Sequence, residues 1–159
     1  MTALRMRLAR KDDAQAVARL ARRVVRRWIV PDQPAVAVIA LEESLRTSVI
    51  REKIATGQRF QLAFVDGALA GVAAVRNDSH VFQLFIGTRY QGQGIARKLW
   101  ERLRRDCVRR VGTRAFTLNA APGAVPFYLH MGFEIDHDPA RVLGKVIAVP
   151  MIYRVDGAA

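Results

Sequence analysis

Ile86-Gly87-Thr88-Arg89-Tyr90-Gln91-Gly92-Gln93-Gly94-Ile95-Ala96-Arg97 is the stretch around which this chain organises. Residues 80–86 (HVFQLFI) before it read as a strand. After it, Ile95, Leu99, Leu103 and Cys107 recur at steps of four, the period of a helix with one buried face. A strand therefore passes through a glycine turn into an amphipathic helix spanning about residues 92–111. Glycine lets backbone approach a ligand because no Cβ intervenes. The first N–H groups of a helix have no partners inside it, and with the helix dipole they form a site for phosphate oxygens. Two common phosphate motifs are excluded. A Walker loop needs Gly-Lys-Ser/Thr, and Gly94 is followed by Ile95-Ala96; a dinucleotide fingerprint needs a third glycine, and Arg97 stands there. Gly92-x-Gly94 by itself is also what an ordinary tight turn uses.

Upstream, residues 3–9 alternate as a first strand. Asp12 is placed as a helix cap with Gln15 as its capping-box partner, and Val17, Leu20, Ala21, Val24 and Trp28 form the buried stripe of the helix that follows. Arg19, Arg22, Arg23, Arg26 and Arg27 fall largely on its solvated faces. Pro31 and Pro34 break it, and a second helix runs from about Val38 to Thr56. Residues 59–65 and 68–76 are strands joined by Asp66-Gly67, a strong hairpin turn, and Asn77-Asp78 leads into 80–86. Downstream come a strand at 114–119, a short helix at 123–131 and a strand from 133–136. Residues 145–155 form the last strand, in which Pro150 implies a bulge or an edge. The order β-α-α-β-β-β-α-β-α-β-β is that of one domain, 1–159, with a mixed sheet and helices on its faces.

The chain has 159 residues, half of them hydrophobic and a quarter charged, a globular composition. No apolar run approaches the about 20 residues of a membrane helix, and Met1 to Arg10 lack the apolar core of a signal peptide, so the expected location is cytoplasmic with no membrane partner. Cys107 is alone and falls on the buried helix stripe, which makes it core packing rather than a nucleophile. No Cys/His cluster has metal-ligand spacing, so no metal is expected. The formal charge is +12, with 22 arginines among 26 basic residues. Such a charge favours anionic partners, namely coenzyme A, nucleic acid or acidic protein surfaces, but arginines spread along a whole chain also fit a general preference for Arg over Lys.

Two separated motifs give a resemblance. Arg89, Gly92 and Gly94 match a Gln/Arg-x-x-Gly-x-Gly/Ala loop; Asn119 at the end of the next strand, Phe127-Tyr128 and Gly132-Phe133 match a second signature with the same order of elements. Together they resemble the GCN5-related N-acetyltransferase (GNAT) superfamily over nearly the whole chain, and Val149-Pro150-Met151 looks like some bacterial members. Thr88 and Gln91 depart from it, standing where the family often has Pro and Arg; neither removes a loop N–H, though the missing Arg at 91 implies one weaker phosphate contact.

The resemblance implies a mostly antiparallel sheet of about seven strands flanked by about four helices. It implies acetyl-CoA as co-substrate, with its pyrophosphate on the N–H groups of Gln91, Gly92, Gln93, Gly94, Ile95 and Ala96, beside Arg89. Its arm would pair with backbone near Phe85 and Ile86 where the fourth and fifth strands splay, and Asn119 would meet it from the fifth. An amine would attack the thioester directly, with Tyr128 as the acid for the leaving thiolate. His80 is the candidate base, with a surface turn histidine or a relayed water as the alternatives. Glu42 and Glu43 are candidate acceptor contacts. His130 and His137 have no expected role. The acceptor is a small-molecule or peptide amine of unknown identity, and the donor is acetyl or a longer acyl. Acetylation of aminoacyl-tRNA and a non-catalytic acetyl-CoA-binding module remain as alternatives, and the final strand offers an edge for a homodimer.

Overall fold

The computed structural model describes residues 3–141 and 144–156. The chain runs β1 (Leu4–Leu8), α1 (Ala14–Trp28), α2 (Ala35–Ser44), α3 (Thr47–Ala55), β2 (Arg59–Val65), β3 (Ala68–Arg76), β4 (His80–Ile86), α4 (Ile95–Val111), β5 (Ala115–Ala120), α5 (Val125–His130), β6 (Glu134–Ile135) and β7 (Val149–Arg154). Local turn chemistry builds the first half. Asp66 and Gly67 take φ of 49° and 83° between β2 and β3, and Asn77 and Asp78 both take 53° between β3 and β4. These positive φ values suit Gly, Asn and Asp and match the twist of a hairpin. One seven-stranded sheet results, in the order β1-β2-β3-β4-β5-β7-β6, antiparallel everywhere except between β4 and β5.

Both faces of the sheet are covered, which is why β2 and β3 are buried almost without alternation. On one face α4 lays Leu99, Trp100, Leu103 and Cys107 against Val75, Val81, Phe116 and Leu118. On the other, Val17, Leu20 and Val24 of α1 and Ile50 of α3 close over Phe60, Leu62, Val72 and Ala74. Cys107 is fully buried, and burial pushes its thiol up to about 12, so it stays an unreactive thiol in the core.

Four expectations are corrected. The long second helix is two, α2 and α3, which makes five α-helices among the described residues. The chain breaks at Leu45-Arg46, because Leu45 turns in against Ala21 and Val25 and the Ser44 hydroxyl donates to the Leu41 carbonyl at 2.7 Å. Trp28 is not in the α1 stripe but 46% exposed, its Nε1 donating to Thr88 Oγ1 at 3.4 Å with Arg27 stacked on its ring. Val25 takes its place in the core. Asp12 does not cap α1; Asp13 organises that entry, accepting the Arg10 N–H at 2.7 Å and two bonds from Arg7. The Arg7 hydrogen bonds hold its carboxyl below the usual range. Finally, β7 is interior, between β5 and β6, and starts at Val149 rather than at 145. Gln33 explains the late start: its side chain takes both the N–H and the carbonyl of Ile147, at 2.7 and 2.9 Å. Pro150 fits inside because β6 has ended there, and its carbonyl still accepts the Asp136 N–H at 2.9 Å. The route to a dimer through the last strand therefore meets strands already paired on both sides at Met151 and Ile152. The alanines that end the chain lie outside the described residues.

Candidate functional site

Parallel pairing between β4 and β5 is confined to two positions, His80 with Thr117 and Val81 with Leu118. The cause lies in β4 itself. Gln83 pairs with Ala74 and Val81 with Val75, so Phe82 is an extra residue without a partner on β3. A bulge of this kind bends its strand and sharpens its twist. Beyond it, the β5-facing side of β4 from Phe82 to Ile86 has no strand partner, and a wedge opens toward the carboxyl ends of the two parallel strands. That end of a parallel pair is where open α/β sheets bind ligands, and free strand edges offer N–H and carbonyl groups to an extended one. Phe85 and Ile86 lie at its mouth. The Ile86 carbonyl already accepts a bond from the Gln91 side chain at 3.1 Å. Gln91, where an arginine was expected to serve phosphate, thus has a local structural partner.

The loop from Thr88 to Gly94 then delivers the chain into α4. Gly92 and Gly94 take φ of 77° and 79°, and a Cβ on either would meet nothing within 4 Å. Glycine is required there by backbone conformation, not by space. None of the N–H groups of residues 92–97 finds a hydrogen-bond partner among the described residues; the first helical bond of α4 is Lys98 to Gly94. Gly92, Gln93, Gly94, Ile95 and Ala96 therefore present free donors at the positive end of a 17-residue helix, beside Arg89, whose guanidinium lies 5.3 Å from the Tyr90 ring centre. This donor set fits a diphosphate.

The opposite rim comes from β5 and α5. Asn119, exposed at the end of β5, is the first residue past the last β4–β5 pair. One 3-10 turn later α5 carries Tyr128, packed edge-on against Phe127 and Phe133 at 5.2 and 5.7 Å. Its hydroxyl has no hydrogen-bond partner among the described residues. Desolvation pushes the phenol up to about 12, so it keeps its proton at neutral pH.

His80 sits at the closed end of the wedge, half-buried, its Nδ1 2.8 Å from Thr117 Oγ1. Burial, and then the charges of Arg76 and Arg141, push it down from 6.5 to about 4. The unfolded chain therefore binds an extra proton between these values, so His80's contribution to stability is intact above about pH 6.5 and is lost as the pH falls toward about 4. Thermal melts across this window should show the parent losing Tm more steeply than His80→Asn, which keeps a polar partner for Thr117 and cannot be charged. Parallel curves would place the acid sensitivity elsewhere.

Glu42 and Glu43 follow Leu41, which packs in the same cluster as Phe85, and both carboxylates are engaged by arginines. Glu42 is bound by Arg26 of α1 at 2.9 and 3.1 Å, which lowers its carboxyl pKa, and Glu43 pairs with Arg46 at 3.5 Å. Reading the sequence missed Arg141, which reaches Asn119 from the irregular segment after β6, and Gln33, which straps that segment to the α1–α2 connection. Neither lies in a periodic stretch, so no sequence signal singles them out. Among the described residues, no three His, Cys, Asp or Glu side chains gather as metal ligands, and no helix is long and apolar enough to cross a membrane.

Solved structures share this architecture. A GCN5-related N-acetyltransferase from Rhodopseudomonas palustris superposes with a TM-score of 0.79 at 16% identity, covering 95% of each chain. The PaiA N-acetyltransferase of Thermoplasma acidophilum, solved in complex with coenzyme A, gives 0.80 at 14% identity over 96% of this chain and 99% of its own. YncA from Salmonella typhimurium, solved with its cofactor acetyl-CoA, gives 0.65 at 18% over 99% and 96%. At these identities the likeness establishes the fold. A search of curated proteins finds no match. The acetyltransferase (GNAT) domain profile, however, matches residues 29–155, which takes in the wedge, the glycine loop, Asn119 and Tyr128, and the chain accordingly belongs to the GNAT acetyltransferase family.

Proposed function

We propose that this chain is an N-acetyltransferase that takes acetyl-CoA as co-substrate and serves a primary amine. The observation that carries the reading is the row of unpartnered N–H groups at residues 92–97, opening onto a strand wedge that has Asn119 and Tyr128 on its far rim. Coenzyme A complexes of proteins with the same fold support it. In this reading the loop N–H groups and Arg89 hold the pyrophosphate, the free edge of β4 aligns the extended arm, and Asn119 meets it from β5. Acetyl-CoA supplies an activated acetyl thioester. Tyr128 keeps its proton and offers it as a hydrogen bond to the negative charge that grows on the departing sulfur. His80, held near 4, matches an ammonium of about 10.4 poorly as a base, and in this reading the amine loses its proton to solvent in its own ionisation equilibrium before it attacks the thioester.

The direct test is a thermal melt with and without acetyl-CoA on the parent and on Gly92→Val. Ligand at about 100 times its Kd adds about 2.7 kcal/mol, a rise of several degrees. The parent should show that rise. Gly92→Val should remain folded, since a Cβ there meets nothing within 4 Å, but lose the rise because a β-branched residue resists φ of 77°. No rise in the parent would remove acetyl-CoA from the reading. A rise with no release of free coenzyme A for any amine in a broad panel would make the chain a non-catalytic binding module.

A further inference from the structure

Arg141 lies in the segment between β6 and β7, yet its side chain is only 15% exposed. Among the described residues its guanidinium makes four hydrogen bonds, two of them to the end of β5 that flanks the wedge. Nη2 donates to Asn119 Oδ1 at 2.6 Å and to the Leu118 carbonyl at 3.1 Å; Nη1 donates to Asp136 Oδ2 and, at 3.4 Å, to the Met151 carbonyl. Asp136 is the matching anion. Its side chain is 9% exposed and its carboxyl is held low by the Asp138 backbone N–H and by Arg141. A buried charge is tolerable when paired and hydrogen-bonded in this way.

A guanidinium has donors only, so the Asn119 atom it holds must be the amide oxygen. The Nδ2 group, a donor of two N–H bonds, is then the polar group of that side chain with no partner among the described residues. We infer that Arg141 is a positioning residue that, braced by Asp136, orients Asn119 as a hydrogen-bond donor to a carbonyl or hydroxyl oxygen of the coenzyme A arm in the β4–β5 wedge. This rests on the acetyl-CoA reading above. The rival explanation is that Arg141 simply ties β5 to β7 through the carbonyls of Leu118 and Met151.

A double-mutant cycle on coenzyme A binding separates the two. Asn119→Ala and Arg141→Gln should each raise the Kd measured by calorimetry about tenfold, and the double variant should also sit about tenfold above the parent, since the second change removes nothing further. An additive loss near 100-fold, or an unchanged Kd for Arg141→Gln, overturns the inference. Asn119→Asp covers the case in which Arg141→Gln fails to fold. It keeps, and charges, the partner of Arg141 while deleting the donor, so its Tm should not fall below the parent's while its Kd rises about tenfold. Parent-like binding by Asn119→Asp overturns the inference and leaves the acetyl-CoA reading standing. A parent that does not bind coenzyme A overturns both.

Discussion

Tyr128→Phe should lower kcat by about 100-fold while leaving the KM for acetyl-CoA within about twofold. The substitution keeps the ring and its edge-on contacts with Phe127 and Phe133, and it removes only a hydroxyl with no hydrogen-bond partner among the described residues. Stability should therefore hold. A group that acts only as charge develops on the sulfur lowers kcat and kcat/KM together, whereas a group that merely contacts bound substrate raises KM. The raised phenol pKa, about 12, has a further consequence. The hydroxyl stays protonated through the alkaline range in which the acceptor amine loses its own proton, so the parent's rate should climb with pH without a fall caused by Tyr128. Steady-state kinetics with any accepted amine decide the point. Turnover within about twofold of the parent would remove Tyr128 from the chemistry.

Trp100→Ala should cost about 3–5 kcal/mol, enough to lower the Tm by about 10 °C or more in a chain of this length. Trp100 is 3% exposed and is the hub of an aromatic cluster, with Phe116 of β5 at 5.1 Å, Phe133 at 4.9 Å and Tyr153 of β7 at 5.2 Å. It joins α4, which begins at the glycine loop, to the strand that carries Asn119. Through Phe133, 5.7 Å from Tyr128, it also supports the turn that carries the proposed acid. Truncation leaves a cavity under both rims of the wedge. Urea unfolding should show a lower midpoint with an unchanged slope, and Trp100→Phe should recover more than half of the loss. A cost below about 1 kcal/mol for the alanine variant would mean that the cluster collapses around the gap.

Some of this was legible from residues alone because its cause is local. Asp66-Gly67 and Asn77-Asp78 prescribe turns through positive φ, and the strands on either side, 59–65, 68–76 and 80–86, have the same limits in the structure as in the sequence. The step-of-four stripe from Ile95 to Cys107 is the buried face of α4. Gly92 and Gly94 marked a turn ahead of an amphipathic helix, and both take the positive φ that favours glycine. The misreadings share a different cause. The break at Leu45 follows from a pocket that α1 supplies, and Trp28 leaves its stripe for Thr88, sixty residues away. Neither partner is visible in a local window.

The same division runs through the site. The amino-acid sequence by itself determined the strand–loop–helix unit that offers free N–H groups and the turns of the central meander, and it supplied the residue types proposed to carry the chemistry, since backbone conformation and side-chain type are properties of short segments. Only the tertiary structure decided where those residues lie relative to one another. The wedge exists because a bulge at Phe82 ends the β4–β5 pairing after two positions. His80 is shifted down because packing half-buries it, with positive charge added by Arg76 across the hairpin and by Arg141 sixty-one residues later. Asn119 has one orientation because an arginine twenty-two residues later takes its oxygen. Each is a long-range packing or electrostatic contact, and such contacts come into being only when the chain closes on itself.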